Sequence, residues 1–110
     1  MKRPSKYGAV RTEVDGIKFA SKAEARRYSE LKLLERAGEI CELHLQPRFP
    51  LRINGQLVTT YVADFVYVVK GEKPELTGTI VEDVKGVRTE VFKIKAKLFE
   101  AIHGFPVREV

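Results

Sequence analysis

Three charged residues stand on faces of predicted strands that should be apolar. Asp64 lies in the middle of segment 61–69, whose aromatic and β-branched residues predict a strand. Asp83 and Lys85 are two residues apart in the next predicted strand, so their side chains project from one face. A carboxylate in mid-strand is costly to bury without a partner. The purely structural alternatives are a strand-end hydrogen bond for Asp64 and a salt bridge between Asp83 and Lys85.

A further carboxylate comes from the helix that the Ser21-x-x-Glu24 capping box predicts. With about 100° between successive residues, the predicted inward face of this helix collects five side chains: Ala20, Glu24, Arg27, Leu31 and Leu34. Glu24 would then point toward the sheet. The alternative is a role within the helix alone, in which Glu24 closes the capping box or pairs with Arg27 three residues later.

These carboxylates would meet if the two strands are neighbours, as sequential strands usually are, and if the helix packs on the same face. Ionised carboxylates at close range repel one another, and a divalent cation relieves the repulsion. Oxygen ligands favour Mg²⁺ or Mn²⁺ over zinc. Such a metal acidifies a bound water and neutralises phosphate charge, while a nearby lysine orients the water and stabilises the transition state. The pattern therefore indicates metal-assisted chemistry on phosphate esters.

Turn and cap signals divide the chain into the elements that would hold these residues. Residues 1–8 form a basic arm, and residues 9–110 form a single domain. The predicted elements are a hairpin at 10–19 that turns at Asp15-Gly16, a helix at 22–37, strands at 40–45 and 49–53, a turn at Asn54-Gly55, strands at 61–69 and 79–85, a helix from Thr89 to His103 before Gly104, and a short strand within 106–110. The predicted fold class is α/β, with an N-terminal hairpin before an α-β-β-β-α-β core whose mixed central sheet is flanked by helices.

The composition limits the class of protein. The 110 residues include 20 Lys and Arg against 15 Asp and Glu, which gives a net charge of +5. A hydrophobic share of 44% is ordinary for a globular core. No apolar run is long enough to span a bilayer, no signal peptide is visible, and the lone Cys41 excludes an internal disulfide. We expect a cytoplasmic protein with no membrane partner.

The positive charge favours a nucleic-acid partner but names no function. Five basic residues are candidates for contacts with a phosphate backbone: Lys2, Arg3, Lys6, Arg11 and Arg26. For the helical member of this set, simple exposure to solvent is the alternative. The sequence contains no recognition-helix, zinc-finger or RNA-binding motif, so base-specific recognition is not indicated.

Lys95 lies within the predicted apolar arc of the last helix, which comprises Val91, Ile94, Leu98 and Ile102. Its ammonium group either extends to the surface or reaches the cleft as a second phosphate contact. His44 and His103 are far apart in sequence, and we expect both to be structural or surface residues.

The acidic pattern resembles the PD-(D/E)XK nuclease superfamily, in which an Asp on one strand precedes (Asp/Glu)-x-Lys on the next, often with a Glu on the preceding helix. The matching positions here are Asp64, then Asp83-Val84-Lys85, with Glu24 on the helix. The predicted order of elements is also similar to the common core of that superfamily. The resemblance implies four ligands to Mg²⁺ or Mn²⁺ and one catalytic lysine: Glu24, Asp64, Asp83 and the backbone carbonyl of Val84, with Lys85.

A closer resemblance covers nearly the whole chain. It is carried by six runs: 6–7, 14–19, 21–28, 46–49, 61–65 and 81–86. They resemble a small phage-encoded, endonuclease-like family of formerly unknown function, and the layout is similar to Holliday-junction resolvases and transposon-end endonuclease subunits. In the transposon-end group a glutamine that Gln46 resembles lies near the active site, although an ordinary strand-end role is the alternative. Glu82 would be the ligand instead of Asp83 if the register differed by one residue.

We therefore expect a Mg²⁺-dependent DNA endonuclease that hydrolyses phosphodiester bonds, with a preference for branched DNA such as a Holliday junction, in phage DNA processing. One domain with one site would cut two strands only as a pair, which makes a homodimer attractive. The alternatives are a non-catalytic DNA-binding accessory protein on the same scaffold and a small protein-interaction domain.

Overall fold

The computed structural model describes residues 10–72 and 78–110. The elements in these ranges are β1 (Thr12–Val14), β2 (Ile17–Phe19), α1 (Lys22–Arg36), β3 (Ile40–Leu45), β4 (Arg48–Ile53), β5 (Gln56–Val62), β6 (Phe65–Val69), β7 (Thr79–Asp83), α2 (Glu90–His103) and β8 (Arg108–Glu109). The predicted α/β class is confirmed, with a mixed four-stranded sheet, two flanking helices and an N-terminal hairpin among the described residues. The basic arm 1–8 lies outside the described residues.

Both predicted hairpin turns are present, and their geometry follows from the residues that form them. Asp15 and Gly16 have φ values of 53° and 76°, and Asn54 and Gly55 have 51° and 78°. Asp, Asn and Gly tolerate this left-handed backbone, which a type I′ turn requires at both central positions. The turns connect β1 to β2 and β4 to β5, each as an antiparallel pair.

The central sheet has the strand order β3-β6-β7-β8. Strand β6 is antiparallel to both of its neighbours, whereas the edge strand β8 runs parallel to β7. One face packs against α1, in a cluster of Phe19, Ala25, Tyr28, Leu31, Ile40, Phe65 and Tyr67. The other face packs against α2 and the β4–β5 hairpin, in a cluster of Leu51, Tyr61, Ala63, Val81, Phe92 and Phe99. Neither helix in the described ranges is long and apolar enough to cross a membrane.

The strand predicted at 61–69 is two strands, and this prediction was wrong. Strand β5 ends at Val62, β6 begins at Phe65, and Ala63 and Asp64 lie between them. The chain changes partners at this point. The N–H of Ala63 still donates to the carbonyl of Pro47 beside β4, whereas the N–H of Asp64 donates to Glu82 in β7 at 3.1 Å. Asp64 therefore lies at the start of a strand and not in its middle.

Helix α1 begins one residue after its N-cap Ser21, whose hydroxyl accepts the backbone N–H of Glu24 at 3.1 Å. Its buried residues are Glu24, Ala25, Tyr28 and Leu31. The predicted inward position of Ala20 was wrong, because Ala20 precedes the helix and is exposed. Tyr28 takes its place in the core and packs against the ring of Phe19 at 5.0 Å.

The face of α2 also differs from the prediction. Phe92 and Phe99 are buried, whereas Val91 and Ile94 of the predicted apolar arc are 61% and 65% exposed. The aromatic rings remove more apolar area from water than the aliphatic side chains do, and they set the rotation of the helix. Phe99 packs against Tyr61 of β5 at a ring distance of 5.8 Å.

Candidate active site

The register of the sheet brings two acids together at one end of it. Phe65 of β6 pairs with Glu82 of β7 in antiparallel register. One further step along that register places Asp64 opposite Asp83, and directly opposed residues on neighbouring strands have Cβ atoms within about 5.5 Å. The predicted adjacency of the two strands is therefore confirmed, and Asp64 and Asp83 meet where the sheet ends.

A cleft of about 620 Å³ opens at this end of the sheet. Four of its lining residues were predicted as site residues: Glu24, Asp64, Val84 and Lys85. The N-cap residues of both helices, Ser21 and Thr89, also line it. The cleft therefore lies between two helix N-termini, whose unpaired N–H groups carry partial positive charge.

Asp64 is the most strongly perturbed carboxyl in this cleft. Burial raises its pKa from 3.8 to about 7, and hydrogen bonding with Asp83 and the charges of Asp83 and Glu24 add to the rise. The backbone N–H of Val84 opposes the rise by donating to Asp64 Oδ2 at 2.7 Å. The pKa of Asp64 therefore lies near neutral pH, as is common for a carboxyl that exchanges a proton or binds a cation.

Glu24 occupies the first turn of α1 and is only 7% exposed. Burial raises its pKa, and the charge of Asp83 raises it further, while the ammonium group of Lys85 lowers it. Glu24 thus interacts electrostatically with both Asp83 and Lys85. This bears out the predicted convergence of the helical carboxylate with the strand residues.

Helix α1 nevertheless packs on the opposite face of the sheet from the one predicted. Asp83 shares its face with Val81 and is covered by α2, whereas α1 covers Phe65 and Tyr67. Glu24 still meets the strand acids, because the first turn of α1 lies at the end of the sheet and not over its middle. The convergence depends on this end-on approach.

Asp83 is 1% exposed and has two close partners. Lys85 Nζ lies 3.1 Å from its Oδ1, and the hydroxyl of Tyr61 donates to its Oδ2. The same ammonium group stands 4.4 Å from the centre of the Phe92 ring, which adds a cation–π contact. Burial and the hydrogen bond to Asp83 raise the pKa of Tyr61. The predicted salt bridge between Asp83 and Lys85 is present, so that lysine has a structural role whatever else it does.

Glu82, the alternative ligand, points to the other face of β7 and is fully buried. Arg27 donates to both of its carboxylate oxygens, at 2.8 Å and 2.6 Å, and Tyr67 donates to Oε2. Burial and this hydrogen bond raise the pKa of Tyr67 to about 12. Arg27 also donates to Glu30 at 3.3 Å. Its partners are therefore Glu82 and Glu30, and it does not form the pair with Glu24 that was the alternative role of that glutamate.

These tyrosines and the Arg27–Glu82 pair were missed by the sequence analysis. A signal was available, because two consecutive acids in a strand must project to opposite faces and each then needs its own partners. Each of the two acids contacts one tyrosine and one cation: Tyr67 and Arg27 for Glu82, and Tyr61 and Lys85 for Asp83. The Asp83–Lys85 pair is local and was predicted, whereas the two tyrosines and Arg27 make contacts between residues 15 to 55 positions apart, which no local pattern encodes.

Two accessory candidates fall in different places. Gln46 lines a smaller cavity of about 140 Å³ together with Glu24 and Asp64, and its backbone N–H donates to the carbonyl of Asp64 at 2.9 Å. It is therefore next to the site, as its predicted role requires. Lys95 donates to the carbonyl of Thr60 at 3.1 Å and does not line the cleft. Its ammonium group anchors α2 to the β4–β5 hairpin.

The structure places only part of the predicted DNA-contacting set. Lys2, Arg3 and Lys6 lie outside the described residues. Arg11 and Arg26 are both exposed, and Arg11 follows Val10, which lines the cleft. His44 and His103 are also exposed. The ring of His103 lies 4.5 Å from that of Phe99, in keeping with its predicted structural role.

The donor set can be compared with the requirements of a divalent metal. In the described ranges, no three His, Cys, Asp or Glu side chains are grouped so as to hold one ion between them. Mg²⁺ is commonly bound through only one or two carboxylates, with waters and substrate phosphate completing its octahedron. Glu24 and Asp64, which both line the cleft, fit that smaller requirement, whereas Asp83 is already engaged by Tyr61 and Lys85.

Comparison with known proteins gives a family without an assigned activity. Neither the curated proteins nor the solved structures include a match to this chain. A family described as proteins of unknown function (DUF1064) matches residues 4–106, which include every predicted site residue except Lys2 and Arg3. The chain belongs to the DUF1064 family.

Proposed function

We propose that this protein is a metal-dependent endonuclease that hydrolyses phosphodiester bonds in DNA, with Mg²⁺ or Mn²⁺ as its cofactor. The observation that carries the proposal is the meeting of Glu24, Asp64 and Lys85 around one cleft, with Asp83 opposite Asp64. Their order and types match the pattern of the PD-(D/E)XK superfamily, and their convergence is what that pattern requires.

The electrostatics of the cleft support a cation there. Asp64 and Glu24 both have raised pKa values, and in each case a neighbouring carboxylate contributes to the rise. A divalent cation would remove this repulsion and keep both groups ionised at neutral pH. Glu24 and Asp64 would hold the ion, with the backbone of Val84 beside them.

When bound, the metal would lower the pKa of a coordinated water and offset the negative charge of the scissile phosphate. The remaining contributions come from the chain itself. Lys85 presents an ammonium group to the cleft, where it stabilises charge that develops on the phosphate oxygens. Asp83 and the ring of Phe92 fix the position of that ammonium group, so it needs little reorganisation during the reaction.

The surroundings of the acids favour a polyanionic substrate. The N-termini of α1 and α2 and the side chains of Lys22 and Lys85 line the cleft, and each favours negative charge. Arg11 and Arg26 are exposed on the elements that flank it. The lack of any base-reading motif supports recognition of DNA shape, such as a branched junction, and cutting both strands would then call for a homodimer. The resemblance to phage endonucleases supports a role in phage DNA processing in the host cytoplasm.

A cleavage assay tests this proposal. End-labelled four-way junction, flap, duplex, single-stranded DNA and RNA substrates are incubated with the protein and Mg²⁺, Mn²⁺ or EDTA. We expect cleavage of at least one DNA substrate that stops in EDTA and falls at least about 100-fold in Asp64→Asn and Glu24→Gln. The matched control is Glu13→Gln, which removes an exposed carboxylate on β1. Equal cleavage by wild type and both site variants would refute the assignment, because a contaminating nuclease would then be responsible.

A non-catalytic DNA-binding accessory protein is the second candidate. The observation that favours it is that Lys85 and Tyr61 contact the two oxygens of Asp83. The ammonium group of Lys85 thus balances the charge of that carboxylate within the protein. This candidate predicts salt-sensitive DNA binding that Asp64→Asn leaves unchanged or strengthens, with no metal-dependent nicking of any substrate. A protein-interaction domain would show no affinity for nucleic acid even at low salt.

A further inference from the structure

An ion pair between Arg27 of α1 and Glu82 of β7 lies outside the cleft, and its carboxylate is fully buried. Glu82 has no exposed surface, and both of its oxygens are bonded to the Arg27 guanidinium, Nε to Oε1 at 2.8 Å and Nη2 to Oε2 at 2.6 Å. Tyr67 donates a third hydrogen bond to the same carboxylate. Two parallel bonds of this kind fix the orientation of the partners as well as their distance.

The position of this pair relates it to all three acids of the site. Arg27 follows Glu24 by three residues in α1, so the two side chains lie about one turn apart. Glu82 directly precedes Asp83 in β7, and its backbone carbonyl accepts the N–H of Asp64 at 3.1 Å. The helix that carries one acid is therefore tied to the strand residue that adjoins the other two.

Stability alone is a poor explanation for such a pair. Glu82 is fully buried and the side chain of Arg27 is 20% exposed, so desolvation offsets much of their attraction, and an apolar pair of similar volume often serves packing as well or better. Arg27 lies beside an apolar cluster that already attaches α1 to the sheet through Ala25, Tyr28 and Leu31. What the ion pair adds is directional: it sets the position and rotation of α1 relative to the end of β7.

We infer that Arg27 and Glu82 are positioning residues that hold Glu24 in register with Asp64 and Asp83, so that the cleft acquires its metal affinity. This inference rests on the proposed function. Their side chains bond to each other and not to the proposed ligands, so they act through the elements that carry those ligands. Outer residues that orient metal ligands typically change metal affinity about 10–100-fold when they are replaced, and we expect the lower end of that range here.

The decisive variant is the double replacement Arg27→Met with Glu82→Leu in a Tyr67→Phe background, which removes both charges and the hydroxyl that donates to Glu82, so that no buried group is left unpaired. We expect its free energy of unfolding in urea to equal or exceed that of the wild type. Its affinity for Mg²⁺ or Mn²⁺ without DNA, measured by isothermal titration calorimetry, should fall at least about 10-fold. Its kcat for DNA cleavage should fall in parallel while KM for DNA stays nearly constant. The matched control is Arg36→Met, which removes an exposed arginine from the last turn of the same helix.

Arg27→Lys provides a second measurement if the double variant does not fold. Lysine keeps the charge but not the two-pronged geometry, so metal affinity should fall although the charge pair remains. A folded variant of either kind that binds metal and cleaves DNA like the wild type would overturn the positioning role and leave the endonuclease assignment intact. A wild-type protein that neither binds metal nor cleaves DNA would overturn the assignment, and the positioning role with it.

Discussion

Replacing Asp64 by Asn measures how strongly its surroundings disfavour the ionised form of this carboxyl. The side chain of Asn is nearly the same size, still accepts the N–H of Val84, and cannot ionise. The pKa of Asp64 is raised from 3.8 to about 7, first by burial and then by Asp83 and Glu24. Because the folded-state pKa is the higher one, the folded protein binds more protons than the unfolded chain between these values. Stability contributed by this group is therefore present at low pH and is lost as the pH rises from about 4 to about 7.

The size of the effect follows from the same two values. A pKa difference of about three is worth about 4 kcal/mol at most. Asp64 is only partly buried, and screening by nearby water reduces this to about 2 kcal/mol. Asp64→Asn should therefore raise the free energy of unfolding by about 2 kcal/mol at about pH 8, and by about a third of that at about pH 5.

The assay is urea unfolding followed by far-ultraviolet circular dichroism, in EDTA, across this pH range. Subtracting the wild type from the variant cancels the groups that the two proteins share. Glu13→Gln is the control, because its carboxylate is exposed and its replacement should give no trend with pH. An Asp64→Asn difference that stays constant with pH, or that shrinks as the pH rises, would refute the raised pKa of Asp64. Saturating Mg²⁺ should stabilise the wild type more than the variant, since only the wild type retains both proposed ligands, Glu24 and Asp64.

Further outcomes follow from individual contacts and can be measured by the same unfolding assay. Phe99→Ala should cost about 3–5 kcal/mol and Val91→Ala less than about 0.5 kcal/mol, and equal losses would contradict the observed face of α2. Gly104→Ala should cost about 1–2 kcal/mol, because Gly104 has φ of 83°, whereas Gly86→Ala should be nearly neutral; the reverse order would contradict the left-handed cap. Tyr61→Phe should cost about 1–3 kcal/mol by removing a hydrogen bond from buried Asp83, and an unchanged midpoint would show that water replaces the hydroxyl.

Local features of this protein were predictable because local residues determine them. Ser21 and Thr89 cap their helices with the side-chain hydrogen bonds that their sequence positions predicted. Gly104 adopts the left-handed backbone that ends α2, and Asp15-Gly16 forms the first hairpin turn. Each depends on contacts within about four residues, so the sequence pattern contains the necessary information.

The break between β5 and β6 could not be predicted in this way. Residues 61–69 are mostly strand-forming, and Asp64 alone indicated either a costly mid-strand acid or a strand end without deciding between them. The junction exists because the chain leaves its partner β4 and joins β7, a choice made by residues almost 20 positions away on either side. The rotation of α2 has a similar origin, since Phe99 rather than Ile94 fits the space over Tyr61.

The sequence by itself determined which chemical groups could form the site: three acids and a lysine, on a helix start and two sequential strands that we expected to be neighbours. Tertiary structure alone decided how each acid is used. Glu82 and Asp83 differ by one position and by one strand face. Because of that difference, Glu82 forms a buried hydrogen bond with Arg27, whereas Asp83 lies opposite Asp64 at the end of the sheet. The physical reason is that a buried carboxylate must find partners on its own face of the sheet, and only the packing of α1 and α2 determines which partners are there.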